Sequence, residues 1–93
     1  MSDIQQKSIE VVIKNQYGIH ARPAALFVKT ASKYKSDVNV EKDNIKVSGK
    51  SIMGLMTMEI SCGKKIKIIA EGIDCEQAVS ELQKLIEYKF FEE

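Results

Sequence analysis

The sequence has few cysteines, which cross-link small domains, few histidines, which bind metals, and few prolines, which end helices. It contains no tryptophan, one proline, one histidine and two cysteines in 93 residues. Cys62 and Cys75 do not form a dense cysteine framework, so we expect two reduced thiols, the alternative being a disulfide that their spacing does not favour. One histidine and two distant thiols cannot make a closed zinc site. We therefore expect no metal and no cofactor.

An excess of charge of one sign and long apolar runs are also absent. Lysine and arginine number 14 against 13 acidic residues, and this near-neutral balance argues against a nucleic-acid partner. The longest apolar runs are about five residues, whereas a bilayer span needs roughly 20. The first 13 residues carry Asp3, Lys7 and Glu10, which a signal peptide's apolar core would exclude. We expect a cytoplasmic protein that neither binds nucleic acid nor inserts into a membrane.

The residues that are present predict a folded α+β chain. Hydrophobic residues make up 44% and charged residues 29% of the sequence, and the length predicts a single domain over residues 1–93. Alternating apolar residues predict four strands, around residues 9–13, 38–40, 45–47 and 66–70. Helical spacing predicts three helices, around residues 24–34, 52–56 and 78–86. The order β-α-β-β-α-β-α predicts an open-faced β-sandwich, in which three helices cover one face of a mostly antiparallel sheet.

Individual residues also predict a turn between two strands and the two ends of the last helix. Asp43 and Asn44 predict the turn between the second and third strands. Asp74 followed by Gln77 resembles a capping box at the start of the last helix. Phe90 follows that helix and is expected to close its apolar face.

The only histidine, arginine and proline of the chain fall together in His20-Ala21-Arg22-Pro23. Pro23 suits the first helical position, which would place His20 just before the helix, beside unpaired N–H groups and the positive end of the helix dipole. Such a position binds phosphate, and a neutral imidazole is a nucleophile toward phosphorus. The planar guanidinium of Arg22 would add several N–H donors to such a phosphate site. Alternatively, His20 only caps the helix, so the residues alone indicate an anion-handling histidine.

A second segment of interest begins at Ser51, before the short predicted helix. Serine is a favoured N-cap for structural reasons alone, and this interpretation is the stronger one from the residues. A phosphate on Ser51 would instead add about two negative charges. Ile52, Met53 and Met56 are either core residues or, because so short a helix cannot bury them all, an adaptable docking surface.

Three segments at matching distances resemble one known family. They are Gly-Ile-His-Ala-Arg-Pro-Ala at 18–24, Thr-Ala-Ser-Lys-Tyr at 30–34 and Lys-Ser-Ile-Met-Gly-Leu-Met at 50–56. They resemble the histidine-containing phosphocarrier (HPr) family of the phosphoenolpyruvate:sugar phosphotransferase system, with likeness from about residue 8 to residue 87. The resemblance implies that enzyme I phosphorylates His20 with a phosphoenolpyruvate-derived group. It further implies that Arg22 assists and that sugar-specific IIA proteins or domains accept the group, which makes the protein a phosphocarrier and not an enzyme.

The resemblance also implies regulation and docking. In one branch of the family the serine that matches Ser51 is phosphorylated by a Ser-directed kinase/phosphorylase, which leads to binding of a transcriptional regulator. The alternative function is therefore an interaction module that acts mainly through Ser51. The implied docking face comprises Ala21, Pro23, Ala24, Phe27, Ile52, Met53 and Met56, of which Ala24 and Phe27 are expected to be shared with the core. We expect a monomer, assign no role to residues 1–7 and 87–93, and find no acid–base partner for His20 in the sequence.

Overall fold

A computed structural model of the protein describes residues 5–92. Within this range the elements are β1 (Gln6–Val12), α1 (Ala21–Ala31), β2 (Asp37–Lys42), β3 (Ile45–Ser48), α2 (Ile52–Thr57), β4 (Lys65–Glu71) and α3 (Cys75–Glu87), followed by a short 3₁₀ turn (Lys89–Phe91). The strands form one sheet in the order β1-β4-β2-β3, and every neighbouring pair is antiparallel. The predicted α+β architecture is confirmed. Residues 1–4 of the N-terminal extension and Glu93 lie outside the described range.

Strand β4 shows why the helices cover one face of the sheet. Ile66, Ile68 and Ala70 are buried, whereas Lys65 and Lys67 are exposed. Because successive side chains of a strand point to opposite faces, the apolar face packs under the helices and the lysine face meets solvent. The helices contribute large side chains to the same core, among them Phe27, Leu55, Leu82 and Ile86.

The turn between β2 and β3 is formed by Asp43 and Asn44, as predicted. Both residues have positive φ angles, 52° and 68°. Two consecutive positive φ angles give the tight turn whose twist matches that of the flanking strands. Asp and Asn are the residues besides glycine that tolerate this backbone region best.

Helix α1 begins earlier and ends earlier than predicted. Its N-cap is His20 and its first residue Ala21, so Pro23 occupies the third helical position rather than the first. Proline costs no helical hydrogen bond there, because the first N–H groups of a helix have no partner within it. The helix ends at Ala31 and not near Tyr34, since the N–H of Tyr34 closes a turn on the Ala31 carbonyl.

The predicted capping box at α3 is wrong. Asp74 is the residue before the helix, but its side chain makes no cap hydrogen bond. Its carboxylate accepts hydrogen bonds from the N–H groups of Lys35 and Ser36, each at 2.9 Å, and from the Ser36 hydroxyl at 2.5 Å. The Ser36 hydroxyl first, and then the Lys35 N–H, hold the pKa of Asp74 below its usual value, because they stabilise the charged form. The loop after α1 is thus tied to the start of α3.

The chain turns back after α3 instead of extending away. Lys89, Phe90 and Phe91 have positive φ angles of 55°, 56° and 60°, an unusual run for residues other than glycine. Phe90 is 1% exposed and belongs to the core cluster. Burial of this large ring offsets the backbone strain. The predicted apolar contact of Phe90 is confirmed, but the residue reaches the core from a turn and not from the helix.

Candidate functional site

His20 lies at the N-cap of α1, as predicted. Its backbone is extended, with φ −92° and ψ −164°, and its carbonyl accepts the Ala24 N–H at 2.9 Å. Its side chain makes no cap hydrogen bond and is 43% exposed. The alternative that the imidazole only caps the helix is therefore wrong. The ring is available to a partner at the surface, next to the unpaired N–H groups of the first helical turn.

The loop that presents His20 is anchored on the segment before β4. The Ile19 N–H donates to the Ile60 carbonyl at 2.8 Å, and the Gly18 N–H donates to the Asn15 carbonyl at 3.1 Å. Gly18 has φ +68°, and a Cβ at this position would collide with the Ile60 carbonyl oxygen. Glycine is required because the chain both bends in the left-handed region and passes close to another backbone.

The His20 ring contacts a carboxylate, that of Glu92, which the sequence did not predict. Glu92 Oε2 lies 2.9 Å from His20 Nε2. The Asn15 side-chain amide donates to Glu92 Oε1 at 3.0 Å and to the Gly18 carbonyl at 2.6 Å. The expectation that His20 has no acid–base partner is wrong, and the contact involves the segment 87–93, to which the sequence had assigned no role. Seventy-two positions separate the pair, and the only sequence signal was the apolar Phe90 nearby.

Arg22 is exposed in the first turn of α1 and borders a cavity. The cavity has a volume of about 650 Å³, and its lining includes Lys14, Lys89, Tyr17 and Glu92 beside Arg22. The Tyr17 ring also stands edge-on to the His20 ring, with centroids 6.5 Å apart. Three cationic side chains thus lie around the surface next to the histidine. Such an arrangement attracts an anionic group.

Ser51 is the N-cap of α2, which confirms the structural interpretation of this residue. Its Oγ accepts the Gly54 N–H at 2.9 Å, and the side chain is half-buried. The unmodified Ser51 hydroxyl therefore stabilises the first turn of α2.

Only part of the expected docking face lies at the surface. Ile52, Met53 and Met56 are 41%, 74% and 41% exposed, and Ala21 is exposed too. We call these four residues the apolar patch. Pro23, Ala24 and Phe27 are buried. The expected place of Ala24 and Phe27 in the core is confirmed, but none of the three side chains contributes to an exposed docking face. They face inward because α1 packs against α2 and α3.

The cysteines form no disulfide: Cys62 is exposed, Cys75 is buried and both are free. In residues 5–92 no group of three or more His, Cys, Asp or Glu side chains is placed to hold a metal ion. No helix in the same range is long and apolar enough to cross a bilayer.

Comparisons with known proteins agree on one family. Residues 7–88 match the family model described as the PTS HPr component phosphorylation site. The phosphocarrier protein HPr of Borreliella burgdorferi is 53% identical over 78 residues, which cover 84% of this chain and 91% of that protein. The HPr-like protein Crh of Bacillus subtilis is 46% identical over 84 residues, which cover 90% of this chain and 95% of that protein.

Solved structures show the same fold. An HPr from Thermoanaerobacter tengcongensis superposes with a TM-score of 0.91 at 56% identity, covering 94% of this chain and 98% of that one. A dimer of HPr from the same organism superposes with a TM-score of 0.74 at 57% identity, covering 86% and 92%. A dimeric form is therefore known among relatives. From its sequence and its fold, the chain belongs to the HPr family of the phosphotransferase system, whose members are phosphocarriers rather than catalysts.

Proposed function

We propose that this protein accepts a phosphoenolpyruvate-derived phosphoryl group on His20 from enzyme I and donates it to sugar-specific IIA proteins or domains. The observation that carries this proposal is the exposed imidazole of His20 at the N-cap of α1. This side chain makes no capping hydrogen bond to the helix. The protein would act in the cytoplasm as a covalent phosphotransfer intermediate, as one domain over residues 1–93, with no cofactor and no metal.

The surroundings of His20 suit a phosphorylated ring. The phosphoramidate carries nearly two negative charges. Helix α1 has 11 residues, so its unpaired N–H groups and its dipole offset part of this charge. The Arg22 guanidinium supplies charge-assisted hydrogen bonds from the first turn. The protein would therefore bind the transferred group without a metal ion.

The apolar patch is proposed as part of the face that docks on enzyme I and on IIA proteins. Methionine is flexible and polarisable, and a surface rich in it adapts to unlike partners. The working unit proposed is a monomer, although a relative forms a dimer. Neither nucleic acid nor membrane insertion is part of the proposal.

The decisive experiment is incubation of the purified protein with enzyme I and phosphoenolpyruvate. We expect one phosphate per chain that is labile in acid and stable in base, as expected of a phosphoramidate, and no such phosphate on the His20→Ala variant. Mass spectrometry of the intact chain gives the stoichiometry, and circular dichroism checks that the variant is folded. An acid-labile phosphate that persists in His20→Ala would show that the carrier residue lies elsewhere.

Regulation through Ser51 is a second candidate function. It is favoured by the likeness to Crh of Bacillus subtilis, which is described as a catabolite repression HPr. We propose that a Ser-directed kinase/phosphorylase modifies Ser51 and that a transcriptional regulator then binds. The phosphate would add about two negative charges beside Ile52 and Met53, and would so change what the apolar patch can bind.

The Ser51 proposal predicts an acid-stable phosphate after treatment with ATP and such a kinase. Ser51→Ala should lose this phosphate, keep the acid-labile one, and unfold with about 1 kcal/mol less free energy because the cap is lost. Ser61→Ala, which changes an exposed serine outside the helices, is the matched control. Acid-stable labelling of Ser51→Ala would contradict the assignment. If a regulator binds only the Ser51-modified form and His20→Ala leaves sugar uptake intact, the regulatory role is the main one.

A further inference from the structure

We propose that Glu92 is a positioning residue for His20: its carboxylate accepts a hydrogen bond from Nε2–H and so fixes the tautomer and the orientation of the reacting ring. This inference rests on the proposed function of His20 as the phosphoryl acceptor. It assigns a role to the segment after α3, whose buried Phe90 brings Glu92 back to the start of α1.

The tautomer follows from the chemistry of the contact. A carboxylate has only acceptor oxygens, and Glu92 Oε2 lies 2.9 Å from His20 Nε2. Nε2 must therefore carry the hydrogen. In a neutral imidazole the other ring nitrogen then keeps the lone pair, which makes Nδ1 the nucleophile. A carboxylate that orients a reacting histidine through its second nitrogen is a recurring arrangement in group-transfer sites.

The carboxylate is itself held in place by a buried group. Asn15 is 2% exposed, and its two amide hydrogens go to Glu92 Oε1 and to the Gly18 carbonyl. Reversing this amide would place its oxygen against two acceptors, so the donor orientation is fixed by its partners. The Glu92 side chain is 20% exposed, less than half the value for the His20 ring. One carboxylate thus bridges a buried amide and the reacting imidazole.

The transfer step explains how Glu92 would help. The Nδ1 lone pair forms the new bond to phosphorus, while the bond between phosphorus and the donor breaks and its electron pair leaves with the donor group. The ring keeps the hydrogen on Nε2 and gains a positive charge, which the Glu92 carboxylate offsets. The two ring nitrogens lie on different sides of the imidazole, so the ring itself separates the carboxylate from the incoming phosphoryl group.

Three variants test the proposal: Glu92→Ala, Glu92→Gln and, as a matched control, Glu87→Gln, which changes an exposed glutamate at the end of α3. The first measurement is ¹⁵N-resolved NMR of the neutral His20 ring, which reports the tautomer without any phosphotransfer. The second is the single-turnover rate of phosphorylation by phosphorylated enzyme I. Glu87→Gln should match the parent protein in both.

In Glu92→Ala we expect a smaller proportion of the Nε2–H tautomer and a rate about fivefold lower, the size expected for a partly exposed charged pair. Glu92→Gln keeps one acceptor oxygen, which can serve either the His20 Nε2–H or the Asn15 amide but not both. It should therefore show a tautomer preference and a rate between those of Glu92→Ala and the parent. An unchanged tautomer in Glu92→Ala, or a rate equal to or above that of the parent, would overturn the proposal. If the parent accepts no phosphoryl group, the proposed function fails, while the NMR result still decides the positioning of the ring.

Discussion

Phe90→Ala is expected to lower the free energy of unfolding by about 3–5 kcal/mol, the usual cost of removing a buried phenylalanine from a core. Phe90 is 1% exposed, and its ring holds the segment that turns back after α3. For a domain of this size such a loss is a large fraction of the total stability. The expected result is a marked fall in the urea midpoint of unfolding. A second consequence is that Glu92 is no longer held beside His20, so the tautomer preference of the ring should weaken as well.

The neighbouring phenylalanine is the matched control for this prediction. Phe91 is 75% exposed and stacks on the Tyr88 ring, with centroids 6.2 Å apart. Phe91→Ala should therefore change the free energy of unfolding by no more than about 0.5 kcal/mol. Equal losses in the two variants would show that Phe90 does not anchor the segment.

Gly18→Ala is expected to lower the free energy of unfolding by about 2–5 kcal/mol. The left-handed backbone at φ +68° costs an alanine about 1–2 kcal/mol. The added Cβ would also meet the Ile60 carbonyl oxygen and lie 2.8 Å from Ser61 Cα, so backbone must move. Relief of such crowding typically costs a further 1–3 kcal/mol or so. Because the loop carries His20, the rate of phosphorylation by enzyme I should fall together with the stability.

Gly63→Ala separates the cost of the left-handed backbone from the cost of close contact by the added Cβ. Gly63 has φ +89°, but among residues 5–92 no atom beyond its own chain neighbours lies within 4 Å of the position where a Cβ would be. Only the backbone strain applies there, so about 1–2 kcal/mol should be lost, with little change in the phosphorylation rate. Urea unfolding of both variants gives the comparison. If the two alanines cost the same, close contact between the loop and the Ile60 backbone is not what requires glycine at position 18.

Several features of the protein followed from short-range patterns in the sequence. Apolar residues at alternate positions marked the strands, as in Ile66, Ile68 and Ala70, because a half-buried strand repeats every two residues. Asp43 and Asn44 marked a turn that needs two positive φ angles. The positions of His20 and Ser51 just before helices followed from the residues around them, since capping and helix periodicity involve neighbours a few positions apart.

Other features depend on contacts between distant parts of the chain. Asp74 has the sequence pattern of a capping residue, yet its carboxylate binds the loop after α1. The reason is that the fold brings N–H donors of this loop next to Asp74, and no local sequence pattern predicts that contact. Ala24 and Phe27 are next to the histidine segment but lie in the core, since α1 packs against two other helices. Helical spacing places both on the apolar side of α1, but it does not show that the neighbouring helices cover them completely.

The sequence by itself determined the architecture, the family and the histidine at the start of α1. Only the tertiary structure decided what that histidine touches. Glu92 reaches His20 because the burial of Phe90 turns the chain back after α3, and because Asn15 holds the second carboxylate oxygen. The physical reason is distance along the chain: helix, strand and cap signals act between near neighbours, whereas this contact joins residues 72 positions apart.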